Sequence, residues 1–238
     1  DREDEALPHL LEAAKMFREM RDPGGELGML ASAAPILEER GDREKAKRCW
    51  TRISETADDD DSRIKAWQGL ARIAEFEGHN GRALEHLRNA LKLSTDANLV
   101  RGALLNSVGI LEWKQGRLPE ALENYRECLT IFESAKEDAQ AGLVLNSIGA
   151  TLKPMGRHDE AVEALERALE VHERSGQELL RGHALALLGD IALERDDADT
   201  ALAHYRESLE VRQRIGDRHG EGWMQYQLAH AFHAADQS

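Results

Sequence analysis

The sequence predicts an all-α protein, an α-solenoid built from antiparallel helix pairs. Three observations carry that prediction. First, the chain repeats itself with a 40-residue step: LNSVG at 105–109 returns as LNSIG at 145–149. Second, inside each copy the apolar and small residues fall three and four positions apart, the spacing of one helical face. Third, composition favours helix, since of 238 residues only 5 are proline and 5% are aromatic, while 32% are charged.

The repetition runs through many offsets. Glycines recur at Gly102, Gly142, Gly182 and Gly222, and again at Gly109, Gly149 and Gly189, the next step landing on Ala229. Seven residues after the second set come Gly116, Gly156 and Asp196, where a turn is expected because glycine takes positive φ at no steric cost. Ala121, Ala161 and Ala201 follow, then Tyr125, Leu165 and Tyr205, then Leu129, Leu169 and Leu209. Toward the N-terminus the step shortens but the frame holds, through Ala71, Gly78, Ala83 and Leu87 and, before them, Ala34, Gly41, Ala46 and Trp50. Long-period self-similarity of this kind marks an array whose units pack on their neighbours around one continuous core.

Taken in order, the frame gives a single array over 1–238: a half unit at about 5–25, full units at about 26–60, 61–98, 99–138, 139–178 and 179–218, and a half unit at 219–238. The opening EALPHLLEAAKMF aligns with EALENYRECLTIF of the third full unit, so it reads as a second helix without its first. In the first full unit Pro35 falls inside a helix and is expected to kink or weaken it. The run TADDDDS at 56–62 reads as a solvated turn with Asp61 or Ser62 capping the next helix, because the aspartates lack the alternating ligand spacing of a calcium loop. In the third, RGALLNSVGILEWKQ and LPEALENYRECLTIFESA form the pair, with Gly109 and Ala121 small where two helices must approach closely. In the fourth, Glu166 and Glu170 are expected to pair with nearby Arg167 and Arg174 on the solvent face. The last half unit offers Trp223 and Tyr226. An opening at Asp1 rather than Met, with half units at both ends, fits a stretch of a longer chain or half-repeat caps.

Charge narrows the partners. With 31 Lys and Arg against 45 Asp and Glu the formal charge is −14, which repels nucleic acid and anionic membrane. No apolar run approaches the roughly 20 residues of a membrane span, and the acidic, amphipathic first twenty residues are unlike a signal peptide. Cys49 and Cys128 are far apart and form no metal spacing, so a reduced, cytoplasmic setting is expected. No phosphate loop, dinucleotide fingerprint, HExxH or GxSxG occurs. His230 and His233 are one turn apart on the last helix without a third ligand, and the carboxylates read as solvated helix faces. Neither catalysis, a metal nor a cofactor is expected.

The pattern of a small residue, a seven-residue step to glycine, then alanine and an aromatic four later (Gly109, Gly116, Ala121, Tyr125 and Cys128) resembles the tetratricopeptide repeat, with Trp67 and Leu70 filling the aromatic and leucine slots before Ala71. The 40-residue period, longer than roughly 34, is similar to that of kinesin light chains and many bacterial regulatory proteins. Glu112, Leu152 and Ala192 stand where the family has an aromatic. The resemblance covers nearly the whole chain. It implies a right-handed superhelix whose first helices line a concave groove, and a non-catalytic scaffold that binds a peptide or protein segment there. On that frame the groove stripe carries Gln68, Arg72, Asn106, Ile110, Trp113, Leu143, Asn146 and Lys153. Asn106 and Asn146 would hold a peptide main chain, since a primary amide both donates and accepts, or would simply bond to the adjacent helix. Trp113 would anchor a partner or, as favoured, pack against the next unit, and Lys65, Arg72 and Lys153 would meet an acidic peptide. The alternatives are a ligand- or peptide-sensing module of a larger signalling ATPase or transcription regulator, and self-association through the ends of the array.

Overall fold

The computed structural model describes residues 2–235, with side chains from residue 5. Among the described residues there are twelve α-helices, one short 3₁₀ turn and no strand. Contacts divide the chain into two compact units, 1–111 and 112–238.

The first unit comprises α1 (Arg2–Glu19), α2 (Pro23–Glu39), α3 (Arg43–Thr56), α4 (Asp60–Phe76), α5 (Asn80–Leu93) and α6 (Leu99–Lys114) as far as Leu111. From α1 to α5 each helix packs on the next, and α2 also touches α4. Two apolar clusters result. One joins Leu30, Ala33, Ala34 and Leu37 of α2 to Ala46, Cys49, Trp50 and Ile53 of α3. The other joins Ala83, Leu84 and Leu87 of α5 to Leu104, Val108 and Leu111 of α6. Full burial of a leucine or isoleucine such as Leu37 or Ile53 stabilises by about 1.5–3 kcal/mol.

Local chemistry sets the helix starts. Asp22 precedes Pro23 and accepts from Gly25 N at 3.0 Å, satisfying an amide that the helix itself cannot. The aspartate run behaves similarly, but the cap is Asp59, which accepts from Ser62 N at 2.7 Å, and not Asp61 or Ser62. The helix starts earlier than expected because Asp60 and Asp61 are favourable inside its first turn, beside the positive helix end. Pro35 does not break α2, which continues to Glu39. Its ring and Ala31, one turn before it, border open space, so the missing N–H disturbs no packed neighbour.

The second unit holds α7 (Leu118–Ser134), α8 (Asp138–Leu152) with a 3₁₀ turn over Lys153–Met155, α9 (His158–Ser175), α10 (Glu178–Glu194), α11 (Ala198–Ile215) and α12 (Arg218–Ala235). Consecutive helices pack from α7 to α12, and α8 also meets α10. Two later glycines of the Gly109 slot sit at close helix approaches. A Cβ at Gly149 would lie 2.5 Å from Leu165 Cγ, and one at Gly189 would lie 2.5 Å from Tyr205 Cε1. The turn residues take the left-handed backbone, at φ 74° for Gly116, 69° for Gly156 and 60° for Asp196, a residue whose short polar side chain tolerates it. The solvent-face pairing is corrected. Arg167 reaches Glu133 at 2.6 Å and Arg174 reaches Asp138 at 3.6 Å, each on a different helix, rather than Glu166 and Glu170 along α9. In this unit such pairs recur 34 to 36 positions apart, as in Arg126–Glu160 and Arg195–Asp159, because adjacent hairpins lie side by side.

Candidate functional site

In the first unit α2 and α4, with α3 behind them, border a hollow of about 590 Å³. Sequence makes it empty. Gly24, Leu27, Gly28, Ala31, Ser32 and Pro35 form one stripe of α2, and most of them are too small to fill the space. A Cβ on Gly28 would meet nothing within 4 Å, whereas the neighbouring Gly25 is filled by Phe17, 2.4 Å from where its Cβ would be. Trp50 and Ile53 of α3 add apolar wall, and α4 contributes Ser62, Lys65, Gln68 and Arg72.

The wall is pinned by a polar contact set. Trp50 Nε1 donates to Glu38 Oε1 at 2.6 Å, and Arg72 donates to both Glu38 oxygens at 3.1 and 3.2 Å. Gly69 leaves the room the indole needs, since a Cβ there would lie 2.4 Å from Trp50 Nε1. Arg72 is therefore neutralised, contrary to its expected role as a free cation for an acidic peptide. Lys65, by contrast, makes no ion pair among the described residues. Gln68 lines this hollow and two smaller ones, one shared with the exposed Leu99 and Val100, the other with Ser107. Asn106 and Ile110 of α6 are half-buried, and Asn106 Oδ1 is buried without a partner among the described residues.

A second buried centre of the first unit is Glu26, 2% exposed. Arg18 donates to it at 2.8 Å, and Arg52 donates to both oxygens at 3.1 Å. The Arg52 hydrogen bonds, with help from Arg18, outweigh desolvation and hold its carboxyl below the usual range.

In the second unit the remaining predicted residues separate in behaviour. Trp113 is 44% exposed and Leu143 is 38% exposed, so the packing favoured for Trp113 is not realised. Asn146 is buried, and its Nδ2 donates to the Leu180 carbonyl at 3.0 Å, the bond to an adjacent helix. Its Oδ1 has no partner among the described residues. Lys153 is no free cation either, lying 3.1 Å from Asp190 and 3.3 Å from Glu194. Burial disfavours its ammonium, but the two carboxylates win and raise its pKa. Asp190 also accepts from Tyr205 Oη at 2.8 Å and Gln227 Nε2 at 2.9 Å. Burial first, then the Asp190 charge, push the Tyr205 hydroxyl far up.

Sequence reasoning missed the buried Glu26, the clamp by Glu38 and the polar use of Tyr205. Only the 34-residue separation of Glu38 and Arg72 hinted at any of them. Among the described residues no group of three or more His, Cys, Asp or Glu is placed to hold a metal ion, and His230 and His233 are exposed. No described helix is long and apolar enough to cross a membrane.

Family models for the tetratricopeptide repeat match residues 100–174 and 154–217. Tetratricopeptide repeats (TPRs) are thus detected over residues 100–217. Solved structures agree with the all-α solenoid of antiparallel pairs. BtubC (BKLC) from P. vanneervenii is 19% identical with a TM-score of 0.73, covering 91% of this chain and 93% of its own. A signal transduction ATPase with numerous domains (STAND), carrying a TPR sensor, from Pyrococcus horikoshii is 16% identical with a TM-score of 0.73; 93% of this chain matches 36% of that one. YrrB, described as a TPR protein with an unusual peptide-binding site, is 16% identical with a TM-score of 0.63, covering 83% of this chain and 91% of its own. No curated protein matches this chain by sequence.

Proposed function

We propose that this TPR chain is a non-catalytic, cytoplasmic scaffold that binds a peptide or protein segment on its even-numbered helices, within one array of full repeats flanked by half repeats. One observation carries the reading. The exposed large apolar side chains concentrate there: Phe76 on α4, Leu99, Val100 and Trp113 on α6, Leu143 on α8, Leu179 on α10, and Trp223, Tyr226 and Phe232 on α12. Of the odd-numbered helices only α1, with Met16, and α11, with Ile215, carry one among the described residues. Apolar surface left in water on one class of helix marks a docking face. In the first unit Gln68, Asn106 and Ile110 accompany it, with Arg72 as a braced wall. In the second, Trp113 and Leu143 supply apolar contact, with Asn146 and Lys153 bracing α8 from within. The peptide-binding site named for YrrB supports the reading.

The test is site-specific crosslinking from a photoreactive residue at Leu143 or, as control, at Glu163 on α9. Adducts from position 143 alone support the reading, and adducts from Glu163 alone sink it. The α2–α4 hollow favours a second reading, a ligand-sensing module of a larger signalling protein, in line with the sensor named for the STAND structure.

A further inference from the structure

We propose that the α2–α4 hollow is a binding site for a small apolar carboxylate, with the carboxylate on Lys65 and Gln68 and the apolar body against Leu27, Ala31, Pro35, Trp50 and Ile53. The proposal deepens the sensing reading, on which it rests, by naming the ligand class and its seat.

Size is the first argument. About 590 Å³ lies within the roughly 300–1,000 Å³ of pockets that hold small molecules, and the hollow combines apolar wall with a few convergent polar groups. The wall is built in advance, because Glu38 holds both Trp50 and Arg72 and Gly69 admits the indole, so binding need not order it.

Charge is the second. Four ionisable side chains line the hollow: Asp58, Asp59, Lys65 and Arg72. Arg72 is neutralised by Glu38, and Asp59 is committed to the Ser62 amide. Asp58 lies exposed in the turn at the end of the hollow where α4 begins. Lys65 is thus the cation on the lined stretch of α4 that makes no ion pair, though its charge is felt by Asp59 at the end of the hollow. Gln68, three residues on and so on the same face, makes no hydrogen bond among the described residues. An ammonium and an amide N–H one turn apart match the two oxygens of one carboxylate. A phosphate dianion is a poorer fit, since one lysine beside Leu27, Pro35 and Ile53 would leave half its charge desolvated and unpaired. An apolar amine would find no buried acceptor that is not already engaged.

Calorimetry with octanoate tests this, with octan-1-ol and octylamine as matched probes. Gly28→Leu fills the hollow without a clash at Cβ, and Lys65→Glu reverses the exposed charge; both are checked by helicity and melting. The expected result is one octanoate per chain, octanol at least tenfold weaker, loss in Gly28→Leu, and preference switched to octylamine in Lys65→Glu. No octanoate binding by the wild type, or equal binding by folded Gly28→Leu, would overturn the site. Equal octanoate affinity in Lys65→Glu would overturn the carboxylate assignment. A peptide ending in leucine carboxylate that binds where octanoate does not would also overturn it, making the occupant a protein chain end. Small-angle scattering with and without octanoate separates the two readings, because binding with unchanged scattering supports the site while failing the sensor.

Discussion

Replacing Gly189 by alanine sets two effects against each other, and the structure says which wins. In a solvent-exposed helix the change stabilises by about 1 kcal/mol, because glycine loses more backbone freedom on folding. At Gly189 the new Cβ would lie 2.5, 2.7 and 2.9 Å from three atoms of the Tyr205 ring. Ordinary contact begins near 3.4 Å, so the ring must retreat by about 0.9 Å (3.4 − 2.5). It has little room to do so. Tyr205 is fully buried, and its hydroxyl is fixed on Asp190 at 2.8 Å. Overpacking a core of this kind costs about 1–3 kcal/mol, and straining the hydroxyl bond costs about 1 more. After the propensity gain the net loss is about 1–3 kcal/mol. Gly222 on α12 is the control, since its Cβ would meet nothing within 4 Å and Gly222→Ala should gain about 0.5–1 kcal/mol. Urea denaturation followed by circular dichroism reads both as opposite shifts of the midpoint at unchanged slope. If Gly189→Ala proves as stable as Gly222→Ala, the close-approach reasoning is wrong. Restoration of stability by adding Tyr205→Leu would locate the strain in the ring.

Three further outcomes are expected. Glu26→Gln should cost about 2 kcal/mol, less than the roughly 3–5 of a fully buried pair because both arginines stay open to water. Because the Glu26 pKa is lowered in the fold, its stabilisation is present above the unfolded value of 4.5 and lost as pH falls below it, so the variant should show a shallower acid limb in pH-dependent melting. Asp59→Ala should cost about 1 kcal/mol and Asp61→Ala close to nothing, measured by urea midpoint, and the reverse order would restore the cap to Asp61. His172 is fully buried, with Nδ1 on Gln177 Oε1 at 3.0 Å and no partner for Nε2 among the described residues. Burial lowers its pKa, so the fold favours the neutral ring, and stability should decline as pH falls below 6.5; a His172→Leu profile as steep as wild type would contradict this, with His86→Asn and His183→Asn as controls for the other two depressed histidines.

Backbone was far more legible in the sequence than side-chain partnership. Gly116, Gly156 and Asp196 disclosed the turns by their spacing, because a left-handed residue is demanded at one fixed place in every hairpin. Lys136 takes the same conformation at φ 58° without any signal, since nothing about lysine announces it. The small residues at Gly149 and Gly189 disclosed helix contact, because a glycine in a helix needs a reason. At Gly28 smallness has the opposite meaning and serves an empty space. Glu26 and Glu38 look identical to the solvated glutamates around them. Their roles depend on arginines 26 and 34 positions ahead, distances fixed only once hairpins stack. Trp113 was open for the same reason, as exposure is a property of neighbours and not of the residue.

The Lys153–Asp190–Gln227 ladder, each step 37 residues long, limits how freely this gene segment could be shortened or rearranged. Backbone units of a solenoid are interchangeable in principle, so excising 179–218 in frame would still leave helices able to stack. The excision would carry off Asp190 and Tyr205, and with a 40-residue shift His230 would arrive opposite Lys153. Glu194 would go with them, so both carboxylates beside Lys153 would be lost and its ammonium left without an anionic neighbour. Lys153, Asp190 and Gln227 thus tie α8, α10 and α12 together across successive repeats.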